Sequence, residues 1–564
     1  NSGTIAKSDS EALTVFKGRT FINNTGSILK AKTVELNGAM TNLGTIEGGS
    51  VASASFENRG GAVTVDRVET QSGPIANSGT MTVTGDLMSA NHVNNADGTL
   101  SVGGSVQAAG QIAVTKGELK LTSEDASLSA ASVYNTGSIL GAKQITVEKG
   151  TLTNKGRVAG LDDSELALLT AGEVVNEAGA TICVKDMKAG GMVTNLGTVS
   201  ASGALEVETL GNSAGSALTA GSLTTTKADH EGHLSNEGKM TVAGKVEVRG
   251  HFGNLGAGEF KAGTLTTSNA TDEGKSFEVD ELELLVSPET DKGLGFFDFM
   301  SESSVAKVGT LTTANGQLKV FGKGVEIGTV ADASNVIVQV DDFTPGKAKI
   351  GTNNGSMTVE ISSDMAEELN PDDLATGMQK AADTVAIENG RKEKSVTAPS
   401  STIMGELTAQ TDANGRIVFV NEAPNAFNVG VSEMASTAML AWRAENNDMF
   451  KRLGDLRRGD DNNGIWARVM AGESKFGTQN LKNEFTTLQF GYDHRVGAAN
   501  EWVLGGAFTY TKGDSTFDYG TGDNYQFGFA LYGSYLAESG GYVDVIGKYS
   551  RLKNEYDAFG GVGS

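Results

Sequence analysis

The 564-residue sequence predicts an all-β chain in three parts. A right-handed parallel β-helix comes first, a polar α-helix of membrane length follows, and the opening strands of a membrane β-barrel come last. Three observations carry this reading. A short Asn-x-Gly unit recurs about every 19 residues through the first 270. The stretch around residue 440 is helical and long enough to cross a bilayer, yet too polar to face lipid. Beyond residue 440 the aromatic residues gather: all three Trp fall there, and nine of the ten Tyr lie past residue 490.

Composition narrows the function classes. Gly is 75 of 564 and Pro only 6, which fits many turns without the Pro content of a disordered linker. The net charge of −24 keeps an exposed protein soluble and excludes the basic face that nucleic acid requires. The one cysteine, Cys183, rules out an intrachain disulfide, and in ATICVKD it is expected as a small buried apolar residue. No signal-peptide pattern opens the sequence and no 18-residue apolar run occurs. Since a barrel protein must be exported, the chain is expected to be a fragment that lacks its start.

Residues 1–270 carry the repeat. The unit reads INNTGSI at Asn24, MTNLGTI at Asn42, FENRGGA at Asn58 and IANSGTM at Asn77. It returns at Asn135, Asn154, Asn195, Asn236 and Asn254, with degenerate copies near Asn95, Asn176 and Asn212. Alternating runs such as TMTVTG and ALEVETL lie between, which marks strands with one buried face. Each period then makes one coil of about three strands. Asn and Gly tolerate left-handed corners, and stacked Asn side chains can bond in ladders. Coils bury apolar residues only against their neighbours, so stability accumulates along the stack. An antiparallel sandwich would instead require hairpin turns every 8–12 residues.

Residues 271–430 keep strands (SFEVDELELLV, GQLKVFG, NVIVQVDDF) while the period fades. A helical insert is expected at 365–385, its main part opened by Pro371 and Asp372. A hairpin is expected at 401–422, turning at Asp412-Ala413-Asn414-Gly415.

Residues 431–460 form the predicted linker helix. Ala, Met, Leu, Glu, Lys and Arg dominate, Ser432 can serve as N-cap, and Lys451, Arg452, Arg457 and Arg458 sit at the C-terminal end, where the helix dipole favours cations. At 1.5 Å per residue it spans roughly 33–38 Å. Arg443, Glu445, Asn446, Asn447 and Asp448 keep it out of lipid, so it belongs inside a pore.

Residues 461–564 read as about five barrel strands, at 464–472, 483–495, 501–512, 523–537 and 541–556. In the fourth, Tyr525, Phe527, Phe529, Leu531 and Tyr535 share one face and Asn524, Gln526, Gly528 and Ser534 the other. This is the apolar-out, polar-in alternation of a lipid-facing strand. Five strands cannot close in lipid without unpaired backbone, so about seven more are expected beyond residue 564.

The stretch AWRAENNDMFKRLGDLR followed by GIWARVMAG, continued by LYGSYLAESGGYVDVIGKYSRLKNEY, resembles the linker helix and first barrel strands of the autotransporters (type V secretion), most closely the serine-protease subfamily. The repeats are similar to autotransporter passengers and to haemagglutinin-type adhesins. The resemblance covers about the last 130 residues. It implies a 12-stranded outer-membrane barrel placed by the barrel-assembly machinery, a helix in its pore, and a passenger at the cell surface or secreted. The segment before the helix would then be its autochaperone-like module. In the protease subfamily an Asn in the helix cyclises on its own backbone and frees the passenger, assisted by an inward Asp. Matching KRLGDLR places Asn447 at the attacking position, with Asp448 where the family carries a second Asn. A shift of one residue pairs Asn446 with Asn447 instead. GYVDVIGKY places Asp544 at the assisting position. The alternative is that Asn446 and Asn447 only line and hydrate the pore.

Asp229-His230-Glu231-Gly232-His233, with His251 eighteen residues further on, forms a weak metal motif: His233 and His251 would stack on adjacent coils, and a solvated turn is the plainer reading. No cofactor is implied. The passenger shows no GDSG nucleophile motif. Two functions stand side by side. One is a surface adhesin or self-associating rod that contacts a host-cell or matrix surface or its own copies. The other is the stalk of a secreted enzyme, a protease or polysaccharide lyase whose catalytic domain precedes residue 1.

Overall fold

The computed structural model describes residues 1–8, 11–227, 233–287, 293–398, 406–423, 426–446, 453, 463–476 and 480–558. The chain divides into two compact units, Asn1–Thr397 with Ala409–Val420, and Ala398–Thr408 with Asn421–Ser564.

The first unit is a parallel β-solenoid of about 18 turns. In one coil Ile75–Asn77, Thr80–Val83 and Leu87–Ser89 each pair parallel with Val93–Ala96, Thr99–Val102 and Val106–Ala108 of the next. Every second residue points inward, so Leu100, Val102, Val106 and Ile112 are fully buried. In later coils two of the three strands merge, as in Lys239–Glu247, and the register breaks between Val242 and Lys245 to turn the corner. Five phenylalanines (Phe252, Phe260, Phe277, Phe297 and Phe299) fill the core beyond residue 250, with ring centroids 4.2–6.2 Å apart.

The repeated asparagines are buried and stacked. Each Nδ2 donates to the Oδ1 of the next rung at 2.7–2.9 Å, first from Asn1 through Asn23, Asn42, Asn58 and Asn77 to Asn95. Val114 interrupts the column. A second run goes from Asn135 through Asn154, Asn176, Asn195, Asn212, Asn236 and Asn254 to Asp272. The second rung corrects the sequence reading, for the ladder residue is Asn23 and not Asn24. The turn after Asn23 is one residue longer, and it places Gly26 at φ +76°. Asn176 and Asn212 share this spacing, with Gly179 and Gly215 at φ +78° and +79°.

Cys183 also departs from expectation. It is half-exposed on the outward face, because Ile182 and Val184 on either side take the inward positions of the strand.

Parallel coils continue past residue 270 as far as Ser395–Thr397, which pairs with Thr358–Glu360. The helical insert has three pieces. Ser363–Glu367 is one turn capped by Ser362, Pro371–Asp373 is a 3₁₀ turn capped by Asn370, and Leu374–Asp383 (α1) is capped by Asp373. α1 buries Met378, Ala381 and Ala382. The strands Glu406–Thr411 and Ile417–Ala423 flank a tight turn, where Asp412 Oδ1 accepts from Asn414 N and Arg416 N and Gly415 has φ +79°.

The second unit holds the helix Ala426–Asn446 (α2) and an antiparallel sheet of five long strands. These are Asn463–Phe476 (β1), Leu481–Val496 (β2), Trp502–Phe517 (β3), Gly520–Leu536 (β4) and Tyr542–Ala558 (β5), paired in sequence order. α2 begins six residues before Ser432, so Ser432 lies inside the helix and is not its cap. No described helix is long and apolar enough to cross a membrane.

Candidate functional site

The two faces of the sheet differ as the alternation requires. Ile465, Val469, Phe527, Phe529, Leu531, Val545 and Tyr549 are exposed on one face. The opposite face buries Asn483, Thr487, Gln489, Thr509, Ser515, Asn524, Gln526 and Ser534. These polar side chains bond across strands: Thr487 with Thr511 at 2.8 Å, Gln489 Nε2 to Thr509 Oγ1 at 3.1 Å, and Asn524 Nδ2 to Asn483 Oδ1 at 3.0 Å. An apolar exterior and a polar interior suit a wall with lipid outside and a polar pore within.

α2 lies on the polar face. Tyr556 donates its hydroxyl to the backbone oxygen of Met434 at 3.0 Å. Glu433, Thr437 and Ala441 are buried, while Met439 and Trp442 on the other side of the helix are exposed. Further along the chain Leu453 is fully buried against Ala507, Ala530 and Tyr532, with Trp466 and Ile546 beside them.

Two aromatic rings of this wall lie over glycines. A Cβ on Gly491 would meet the Trp466 ring at 2.4 Å, and one on Gly505 would meet the Tyr532 ring at 2.4 Å. The rings are tied together. Trp466 Nε1 donates to Tyr532 Oη at 3.1 Å and to Asp493 Oδ1 at 3.3 Å, and the Tyr532 hydroxyl donates to Asp493. Sequence reading missed Asp493. The signal was present, since the two-residue alternation that turns Asn483 and Gln489 inward also turns Asp493 inward.

Asp544 sits on the inner face between exposed Val543 and Val545, and its Oδ1 accepts from Ser534 Oγ at 2.6 Å. Asn446 is the last residue of α2. Its side chain, together with Asn447, Asp448, Lys451 and Arg452, lies outside the described residues.

In the solenoid, His233 and His251 occupy adjacent rungs, ring centroids 5.9 Å apart. His251 Nε2 lies 3.3 Å from Thr271 Oγ1. Burial, and then the charge of His233, push the His251 imidazole below its ordinary range, against an opposing pull from Asp298. His230 lies outside the described residues. Among the described residues no group of three or more His, Cys, Asp or Glu is placed to hold a metal.

Residues 465–564 match the family model for the autotransporter beta-domain. The C-terminal part of the chain is that of an autotransporter. It is 36% identical over 135 residues to the serine protease pet autotransporter of Escherichia coli O44:H18, covering 24% of this chain and 10% of that protein. It is 35% identical over 143 residues to the pertactin autotransporter of Bordetella bronchiseptica, covering 24% and 15%. It is 27% identical over 274 residues to the serine protease EspC of Escherichia coli O127:H6, covering 43% and 20%. The matches thus span a tenth to a fifth of these relatives. In this autotransporter the solenoid is the passenger, the five strands begin the β-domain, and the homologous β-domains belong to outer-membrane proteins with the passenger at the surface or secreted.

Proposed function

We propose that the β-domain of this autotransporter delivers its own β-helix across the outer membrane, and that the delivered rod works as a surface adhesin or self-association factor. The observation that supports delivery is the seating of α2 and Leu453 on the polar face of a sheet whose other face is apolar. The chain that follows the passenger therefore runs along the wall of the pore. Outer-membrane lipid and the barrel-assembly machinery are the partners this route requires. The adhesin reading rests on the length of the solenoid, whose stacked coils present a long outward surface and so suit multivalent contact with a host-cell or matrix surface, or with a second copy.

The experiment expresses the full gene in a Gram-negative host. Protease added to intact cells should digest the passenger and spare the β-domain, and those cells should aggregate or adhere while cells lacking residues 1–397 should not. A passenger protected inside the cell would overturn delivery. A surface-exposed passenger without adhesion or aggregation would overturn the adhesin role. A second reading, the stalk of a secreted enzyme, is favoured by one observation: the match to the serine protease EspC extends over 274 residues, well beyond the β-domain. Hydrolysis of protein or polysaccharide by the secreted full-length product would support it.

A further inference from the structure

The pore wall carries amide groups that α2 leaves unmet. A small pocket of about 10 Å³ opens between α2 and the sheet, lined by Ala441, Asn483, Thr511, Asn524, Gln526 and Asn554. Asn524 and Gln526 are only 5% and 4% exposed. Asn524 Nδ2 donates to Asn483 Oδ1 and, at 2.6 Å, to Ser515 Oγ. Asn524 Oδ1, Gln526 Nε2 and Asn554 Oδ1 point at no protein partner. Among the described residues the helix does not serve them. It presents the methyl group of Ala441, and its own N–H and C=O groups are bonded along the helix. Buried amides without partners are costly, so a wall built this way matches an occupant other than this helix face.

We propose that these amides form a seat for extended polypeptide main chain, namely this chain's own passenger as it threads the pore. This rests on the delivery reading above. An extended strand brings one free N–H and one free C=O per residue, about every 3.3 Å. Asn524 Oδ1 and Asn554 Oδ1 accept from the N–H groups, and Gln526 Nε2 donates to a C=O. The seat ignores side-chain identity, as a conduit for several hundred different residues must. The one residue that lacks an N–H is proline, and the chain holds only 6 in 564. The seat is also uncharged, so it does not trap the acidic passenger by attraction or bar it by repulsion.

The test uses the full-length chain in a Gram-negative host, with Asn524→Leu and Gln526→Met combined. Passenger arrival at the surface is followed by pulse-chase with external protease, and β-domain assembly by heat-modifiable migration. Arrival should slow roughly five-fold for each amide bond lost, with assembly unchanged. Unchanged arrival from an assembled β-domain would overturn the proposal and leave the amides as a hydration site only. If the double variant fails to assemble, a photo-crosslinker at Thr511 in the otherwise unaltered chain decides. Crosslinks to many passenger positions during export support the seat, and crosslinks confined to α2 overturn it. A wild-type passenger that never surfaces would sink the delivery reading itself.

Discussion

Asn254 donates its Nδ2–H to Asp272 Oδ1 at 2.8 Å, and with that bond the asparagine ladder ends on an acidic side chain. Every bond of the ladder runs the same way, so the last member needs only to accept. Asp272 Oδ1 also accepts from Gly274 N at 3.2 Å, while Oδ2 is buried without a partner. Burial pushes the carboxyl from 3.8 up to about 6, against the pull of the Asn254 and Gly274 bonds. The folded value lies above the unfolded one, so the fold prefers the protonated form. The contribution is fully present below about 4 and lost as pH rises through about 6. The shift of about 2 units corresponds to on the order of 3 kcal/mol. Asp272→Asn should remove that dependence: its melting temperature should lack the decline that the parent chain shows between pH 4 and 6. Equal slopes in the two proteins would show that Asp272 does not titrate in this window.

Lys394 poses the opposite case at the end of the passenger. Its ammonium is buried and donates to the backbone oxygens of Ala382 and Val385 at 2.5 and 2.6 Å, closing the C-terminal end of α1. Burial lowers it from 10.5 to about 8, partly offset by Asp383. Here the folded value lies below the unfolded one, so the unfolded chain holds more protons between pH 8 and 10.5 and stability rises with pH across that window. Lys394→Met should abolish that rise. It also strips two buried carbonyls of their donor, at a cost of about 1–3 kcal/mol, and hydrogen exchange at the end of α1 should accelerate. An unchanged exchange pattern would show that the lysine does not hold α1.

Much of this was legible in the sequence, and the reasons differ by element. The ladder showed because a buried amide in a coil must be answered by another one coil later, which forces one residue type at a fixed spacing. The lipid-facing strands showed because lipid and pore impose opposite polarities on alternate residues. The errors lie where a local rule is satisfied in two ways. Asn23 and Asn24 both precede a glycine, and only the extra turn residue decides which one turns inward. Ser432 is a good cap by type, but Ala426–Val431 are recruited into α2 in spite of Val429, Gly430 and Val431, since a helix seated on a wall need not stand on propensity alone. Asp493 was overlooked because its bonding partners are remote in sequence. Trp466 lies 27 residues before it and Tyr532 lies 39 after it, a span that no local window covers.

Gly491 and Gly505 give the β-domain a steric test. With Trp466 and Tyr532 lying directly over them, an added methyl group would overlap a ring at 2.4 Å, and the rings are held by Asp493. Gly491→Ala should impair assembly of the β-domain, read as loss of the heat-modifiable form in the membrane. Trp466→Leu in the same chain should restore part of it by vacating the space. If the single variant assembles normally, the ring moves freely and the close approach has no constructive role.

The last prediction concerns release of the passenger. Asp544 lies on the inner face with Ser534 as its hydrogen-bond donor, and the described chain is seated on this same wall at Ala441 and again at Leu453. Asn447 and Asp448 fall between those two points in sequence. We propose that Asn447 Nδ2 attacks its own backbone carbonyl carbon, closing a cyclic imide as the 447–448 peptide bond breaks, with Asp544 assisting transfer of the amide proton to the departing Asp448 amine. A carboxyl near the attacking amide supplies general acid–base help, and its loss typically slows such a step about 10²–10⁴-fold. Mass spectrometry of the secreted passenger from the complete gene should therefore find a new C-terminus at Asn447. Asn447→Ala should abolish release, and Asp544→Asn should slow it by roughly 10²-fold or more with the β-domain still assembled. A terminus at Asn446 would move the register by one residue and keep the chemistry. An intact chain held at the cell surface would remove it, leaving Asn447 as a pore-lining residue and the passenger as an anchored rod.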